Sequence, residues 1–387
     1  MQSITILFTS KEGSNKRLVQ YAVAYPFFYA IFLFWIAYYL KVVKMDGFEH
    51  LLNNTLGAMF VCLIVPLVFA WRKRFTSKGN ITIAGFTFPR EWLWLFPSGI
   101  CTAVVIPTTT LMYGLLDPVT HERLPVTVAQ PLMRAGLILT TILFVDLVQI
   151  LLGISKKKLV WQEIVAAAFA FGTVWFAARA GGPKGFNFIN SKEALVIMGM
   201  YIGFYTIRQY IMSHYKNTQG SYDLKGFFVV EQAFAAATVL VASIVIIGWP
   251  ELFGWEQNSR ILAMRSVFLL NPSGNHGPDF GAILSGLPYG VAAFFSVFLF
   301  MFPGKNQTFA VLTNRLASLA AAPLGTACFI WLFAAVLVAR GDKSPTMKAE
   351  DLQSLWFVVI ALGFMAWGEW SRAKAKRLAA AQGDATA

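Results

Sequence analysis

Ten long apolar runs constrain this chain more than any other feature. A helix that crosses a bilayer needs about 20 mostly apolar residues, and each run comes near or exceeds that length. The runs are continuous, whereas the strands of a membrane β-barrel alternate between apolar and polar residues. They lie at residues 19–40, 55–71, 92–116, 125–152, 160–178, 194–212, 227–248, 280–302, 308–338 and 352–371. The sequence therefore predicts an all-α integral membrane protein with ten transmembrane helices, multi-pass in a cell membrane.

The composition agrees with this fold class. Apolar residues make up 57% of the chain and charged residues only 13%, whereas a soluble domain averages about 25% charged residues. The formal net charge is +13, and its tightest clusters, WRKRF, SKKK and SRAKAKR, fall between runs on one side of the membrane. Because short cytoplasmic loops are enriched in Lys and Arg, both termini are predicted to be cytoplasmic. Charges spread over short loops suit anionic membrane lipid and exclude a nucleic-acid surface.

The two ends of the chain are predicted to lie outside the membrane. The apolar part of the N-terminus, residues 4–8, is too short for a signal peptide, and no small-residue cleavage site follows it. Residues 1–18 are therefore expected to form a cytoplasmic N-terminal segment. Residues 372–387 are expected to form a basic cytoplasmic tail.

Ten spans divide into two groups of five. An odd number of spans per group places the two groups in opposite orientations, so a repeat must be inverted. The first five-helix repeat is predicted at 19–182 and the second at 183–371. The second contains a long extracytoplasmic loop, 249–279, whose middle reads WEQNSRILAMRSVFLL. That stretch is either an interfacial helix or an ordered surface loop, and we expect the loop.

Arginines inside apolar runs are the strongest indication of a functional site. Arg134 and Arg315 occupy matching places in the fourth and ninth runs, and Arg208 lies in the sixth. A guanidinium at membrane depth is costly unless it faces a partner or a water-filled cavity. Its planar donors suit phosphate or carboxylate, so three of them predict an anion-binding site. The alternative is structural, with each arginine bound to carbonyls at a proline break or to an acid.

Polar residues close to the arginines are candidates for the same site. Gln130 lies four residues before Arg134 and shares its helical face, and Tyr205 lies three before Arg208. Asn314 adjoins Arg315, and Tyr289 lies in the eighth run. We predict that all four contact substrate.

Two acidic residues are candidates for coupling or gating. Asp146 lies 12 residues after Arg134, which is about 18 Å along a helix and too far for direct pairing. Glu231 lies early in the seventh run. Either carboxyl could carry a coupling proton, and the alternative is a polar contact between helices.

The order of elements resembles the drug/metabolite transporter superfamily, whose bacterial members are mostly of the EamA type. The most specific stretch is residues 124–182, in which an apolar helix with an early proline leads to the loop LGISKKK, the segment LVWQEI and a helix of small residues. The resemblance implies two inverted five-helix repeats, a bacterial inner-membrane location, and a central cavity lined by the first, third, fourth, sixth, eighth and ninth helices. It also implies that the fifth and tenth helices pack the halves together.

Together these features predict a secondary-active exporter or flippase-like carrier, working by alternating access. Its substrate would be a small anionic metabolite or an anionic lipid-linked intermediate. The chain has no HExxH, Walker or GxGxxG motif, so we expect no catalytic activity, no cofactor and no metal, in a monomer or homodimer. Two alternatives remain: a membrane-embedded scaffold or accessory subunit without transport, and a lipid-modifying membrane enzyme.

Overall fold

Helices make up nearly all of the chain that the computed structural model describes. The described residues are 14–115, 124, 126–141, 144, 147–153, 160–179, 188, 190–218, 224–248, 250–255, 258–268, 278–302, 307–341 and 349–384. The helices are α1 (Asn15–Ala37), α2 (Gly47–Val68), α3 (Trp92–Gly114), α4 (Val126–Thr140), α5 (Leu147–Leu151), α6 (Trp161–Arg179), α7 (Lys192–Thr218), α8 (Leu224–Gly248), α9 (Ser259–Phe268), α10 (Phe280–Phe300), α11 (Gln307–Ala339) and α12 (Ala349–Asp384). Helical structure occupies each of the ten apolar runs.

Six helical segments within the described residues are long and apolar enough to cross a membrane. They are Lys16–Val43, Gly47–Val68, Trp92–Gly114, Leu224–Gly248, Phe280–Phe300 and Ala317–Ala339. The first of these includes a π-helical turn, Tyr38–Val43, that continues α1. Several apolar helices of this length are characteristic of an all-α, membrane-embedded protein.

Aspartate and serine side chains set the starts of three membrane helices. The Asp279 carboxylate accepts a hydrogen bond from the backbone N–H of Ala282 at 2.9 Å, and Ser14 caps α1 in the same way. Asp46 accepts from the N–H groups of Phe48 and Glu49. Each side chain satisfies backbone donors that have no partner inside the helix. Because of the cap at Asp46, α2 begins at Gly47, eight residues before the predicted start at 55.

The fourth and tenth runs also differ from their predicted bounds. Run 125–152 contains two helices, α4 and α5, and Asp146 between them lies outside the described residues. The last helix, α12, continues to Asp384, so it extends through most of the predicted basic tail. Alanine, lysine and arginine dominate that stretch and all favour helix.

A short β-hairpin, which the sequence did not predict, lies between α2 and α3. Strands β1 (Asn80–Ile83) and β2 (Phe86–Pro89) pair antiparallel around a two-residue turn. Both turn residues, Ala84 and Gly85, have positive φ, the geometry that suits such tight turns. The Glu91 carboxylate holds the base of the hairpin by accepting from the backbone N–H of Lys78 at 2.8 Å.

The long loop after α8 forms a helix in its middle, which corrects the expectation of a surface loop. This helix, α9, is capped by Asn258, whose side-chain oxygen accepts from the N–H of Arg260 at 3.0 Å. It packs against α2 and α8. These contacts supply burial for Val267, which the amino-acid pattern of the segment alone did not reveal.

Packing between pairs of long helices forms the centre of the molecule. Helix α3 packs against α7 and α8, and α10 packs against α1 and α2. Helix α11 packs against α1 and α4 against α6, while α6 and α12 pack against each other at the edge. The pairing of α2 with α10 is backbone to backbone: a Cβ added at Gly57 would overlap the backbone oxygen of Ile283, and one added at Gly286 would overlap that of Asn54. Small residues permit such close approach in membrane helices.

Candidate functional site

A small cavity lies where α1, α3, α4, α7 and α10 meet. Its volume is about 40 Å³, and one water needs about 10–15 Å³ by this measure, so it has room for roughly three waters. It is lined by Tyr25, Tyr29, Thr102, Val105, Ile106, Thr109, Arg134, Tyr201, Tyr205, Arg208, Tyr289, Ala292, Ala293 and Ser296. Two arginines, five tyrosine rings and several hydroxyls therefore surround this space.

Arg134 borders the cavity and is held by tyrosines from two other helices. Its Nη1 donates to the Tyr201 hydroxyl at 2.9 Å and its Nη2 to the Tyr29 hydroxyl at 3.2 Å. The side chain is buried, and among the described residues its Nε has no hydrogen-bond partner. Neutral hydroxyls orient the guanidinium without neutralising its charge.

Arg208 is the one predicted arginine that carries a described carboxylate partner. Its Nε and Nη2 donate to the two oxygens of Glu231 at 2.8 and 2.9 Å, a bidentate pair. Hydroxyls of Ser98 and Thr102 on α3 donate to the same carboxylate at 2.5 and 3.3 Å. Removing either ion would leave an uncompensated buried charge, so this network fixes α3, α7 and α8 together.

Arg315 is the largest of the fully buried side chains in the described part of the molecule. Within that part, Nε, Nη1 and Nη2 all lack a hydrogen-bond partner. The guanidinium carbon lies 4.8 Å from the centre of the Tyr205 ring and 5.7 Å from that of Phe300. Aromatic faces attract a cation, but they do not satisfy its N–H donors.

The tyrosines named from the sequence occupy different parts of the cavity wall. Tyr205 lines the cavity, and its ring also covers the guanidinium of Arg315. Tyr289 lines it from α10 and stacks on Phe32 with ring centres 4.3 Å apart. Both predicted positions therefore face the space between the helices.

The amides beside the arginines bind other side chains. Gln130 lies next to the site, where its Oε1 accepts from the Tyr113 and Tyr29 hydroxyls and its Nε2 donates to the Ser318 backbone oxygen at 3.1 Å. Asn314 donates through Nδ2 to the hydroxyl of Ser296, a cavity residue, at 3.0 Å. These contacts make the two amides supports of the wall in this conformation.

Of the two candidate acids, only Glu231 lies in the described part of the chain. Glu231 is fully buried in its pair with Arg208, so its role in this conformation is that of an internal counter-ion. Proton coupling through it remains a prediction. Asp146 lies outside the described residues, and its part in gating also remains a prediction.

Three cavity tyrosines were not named from the sequence: Tyr25, Tyr29 and Tyr201. Tyr25 and Tyr29 are four residues apart on α1, and Tyr201 and Tyr205 are four apart on α7. Residues at this spacing share one helical face. A row of tyrosines at four-residue spacing in an apolar helix is therefore a sequence signal that would have identified these three residues.

The arrangement holds more positive than negative charge. Three guanidiniums and one carboxylate are buried together, so among the described residues two positive charges lack a carboxylate partner. Guanidinium donors and tyrosine hydroxyls suit an oxyanion. Comparisons of the sequence with protein-family models and with curated proteins found no match.

Proposed function

We propose that this chain is a secondary-active carrier for a small anionic metabolite or an anionic lipid-linked intermediate. Carriage by alternating access requires two similar halves and a central site that each side reaches in turn. The observation that carries the proposal is the pair Arg134 and Arg315, both buried and both with N–H donors that have no partner among the described residues. Arg134 lines the small central cavity, and Arg315 lies behind the ring of Tyr205 in its wall.

Ten transmembrane helices in two inverted repeats form part of the proposal. The first repeat is α1, α2, α3, α4 and α6, and the second is α7, α8, α10, α11 and α12. Exchanging the repeats places α1 on α7, α2 on α8 and α3 on α10. The packing of α3 against α7 then corresponds to that of α10 against α1, and the packing of α2 against α10 corresponds to that of α8 against α3. All four packings occur. Because pseudo-twofold symmetry requires this reciprocity, the observed pairs support the repeat.

The same exchange relates the functional side chains. It places α4 on α11, so the helix that carries Arg134 corresponds to the helix that carries Arg315. It also converts α1, with Tyr25 and Tyr29, into α7, with Tyr201 and Tyr205. Each repeat thus contributes one of the two guanidiniums without a described carboxylate partner and one pair of tyrosines four residues apart, which supports one shared site between the halves. Helices α6 and α12 pair with each other away from it.

Aromatic packing towards one end of the cavity supports a gate at that end. Beyond Tyr25, towards the start of α1, Tyr21 packs on Phe298 with ring centres 5.4 Å apart, and Trp71 packs on Phe294 at 5.8 Å. These rings cover the end that we propose to be cytoplasmic. Rocking one repeat against the other would part them, as alternating access requires.

Transport by purified protein in proteoliposomes tests the proposal. We expect uptake of at least one of radiolabelled inorganic phosphate, succinate or glucose 6-phosphate, and a loss of about tenfold or more in Arg134→Ala and Arg315→Ala. The reason is that a charged hydrogen bond contributes about 1.5–3 kcal/mol, and 1.4 kcal/mol is tenfold. Arg90→Ala, at an exposed position, is the matched control. Full activity in both site variants would refute the proposal.

A further inference from the structure

We infer that the cargo carries two negative charges and bridges Arg134 and Arg315. The inference rests on the proposed function and names the charge class of its substrate. It depends on the charges buried around the cavity and on the contacts that both guanidiniums make with tyrosines of α7.

Charge balance gives the first part of the argument. The buried ionic groups of the described site are Arg134, Arg208, Arg315 and Glu231. Glu231 is committed to Arg208 through two hydrogen bonds. Two positive charges remain, and burial of an unpaired charge is strongly unfavourable. A dianion restores neutrality, whereas a monoanion leaves one guanidinium uncompensated.

Helix α7 contacts both guanidiniums. Arg134 is bound to the hydroxyl of Tyr201, and Arg315 lies against the ring of Tyr205. These tyrosines are one helical turn apart, with ring centres separated by 5.5 Å. Both cations therefore contact the same face of α7, at residues four apart in sequence. A four-carbon dicarboxylate or a phosphate monoester is a cargo of the size and charge that we expect to contact both.

Tyr205 controls access to the second guanidinium. The cavity is lined by Arg134 and Tyr205, and in this conformation Arg315 is not part of its lining. The rings of Tyr205 and Phe300 cover Arg315, and their cation–π attraction takes the place of an ion pair with an anion. Rotation of the Tyr205 side chain would open Arg315 to the cavity. The N–H donors of Arg315, which have no partner in the described part of the chain, then bind the second charge of the cargo.

Matched pairs of anions test the inference by thermal unfolding of the purified full-length protein in detergent at pH 8. Succinate and butyrate share a four-carbon chain and differ by one charge, and they represent soluble cargo. Phosphatidic acid and phosphatidylglycerol are the corresponding lipid pair. We expect the dianion of at least one pair to bind about tenfold or more tightly than its monoanion.

Substitution of one guanidinium should reduce that preference. Arg315→Gln removes one of the two unmatched charges, so we expect the dianion-to-monoanion affinity ratio to fall to about twofold or less, with Arg90→Gln as the unaffected control. The wild-type ratio needs no variant, so the inference is tested even if Arg315→Gln does not fold. A preference in the soluble pair assigns a soluble cargo, and one in the lipid pair assigns a lipid cargo.

The outcomes separate the two proposals. Equal binding within both pairs, tighter binding of the monoanions, or no binding by any of the four probes overturns the dianion inference. Uptake of a monoanion into proteoliposomes with such a result would leave the carrier proposal in place. Dianion preference with neither uptake of a soluble anion nor transfer of the anionic lipid between leaflets would refute transport and retain the dianion site.

Discussion

Arg208 and Glu231 show how a single pair of side chains shapes the charge of the whole site. Glu231 accepts two hydrogen bonds from Arg208 and further ones from Ser98 and Thr102. Its carboxylate is therefore saturated and cannot also serve Arg134 or Arg315. One arginine of the three becomes part of the scaffold, and the other two remain able to bind an external anion.

Removing one member of this ion pair should destabilise the protein more than removing both charges. We expect Arg208→Met alone to lower the free energy of unfolding by about 3–5 kcal/mol, because it leaves a buried carboxylate without its cation. Adding Glu231→Gln removes that charge and keeps an acceptor for Ser98, so the double variant should recover most of the loss. Detergent-based unfolding of the two single variants and the double variant measures this. A double variant that shows the sum of the single losses would contradict the pairing.

At the scale of the element, small residues decide which helices can approach closely. Gly57 and Gly286 allow the backbones of α2 and α10 to touch, and Gly325 brings α11 within reach of the backbone of α1. Because α1 and α10 both line the cavity, these contacts position its wall. The apolar side chains around them supply burial but do not select the partner helix.

A methyl group at one of these glycines should force α2 and α10 apart. We expect Gly286→Ala to cost about 1–3 kcal/mol of stability, as overpacking does. Gly203→Ala is the matched control, since an added Cβ at that exposed helical position meets no atom of the described residues within 4 Å. The control should gain up to about 1 kcal/mol through reduced chain entropy. Similar melting temperatures for the two variants would show that the α2–α10 contact is looser than described.

At the scale of the whole molecule, the reciprocal packing of the helices predicts which segments share a side of the membrane. The β-hairpin follows α2, and α9 follows α8. In two inverted repeats these two connections lie on opposite sides, with the hairpin cytoplasmic. The proposed carrier therefore presents its hairpin inside and α9 outside.

Cysteine labelling measures this topology. In a variant without Cys62, Cys101 and Cys328, a cysteine introduced at Thr82 of the hairpin should react with a membrane-impermeant maleimide only after the membrane is opened. One introduced at exposed Ser259 of α9 should react in intact cells. Labelling of both positions from the same side would contradict the inverted arrangement.

Much of the architecture could be predicted from the sequence because it depends on local properties. Helical structure occupies all ten apolar runs, since length and continuous apolarity suffice to specify it. Arg134 and Arg315 could also be identified from the sequence, because a charge in an apolar run is locally conspicuous. The start of α2, the β-hairpin and α9 were not predicted. They depend on a capping carboxylate, a two-residue turn and tertiary burial, and none of these changes the apolar pattern of the sequence.

The amino-acid sequence by itself determined that the chain is a bundle of apolar helices with arginines at buried depth. Only the tertiary structure decided that, among the described residues, Arg208 has a carboxylate partner while Arg134 and Arg315 have none. The reason is that Glu231 and Arg208 lie on different helices, and hydrogen bonds between them depend on how α3, α7 and α8 pack. The sequence gives the number of charged side chains available to a site, and the packing of the helices decides which of them form ion pairs.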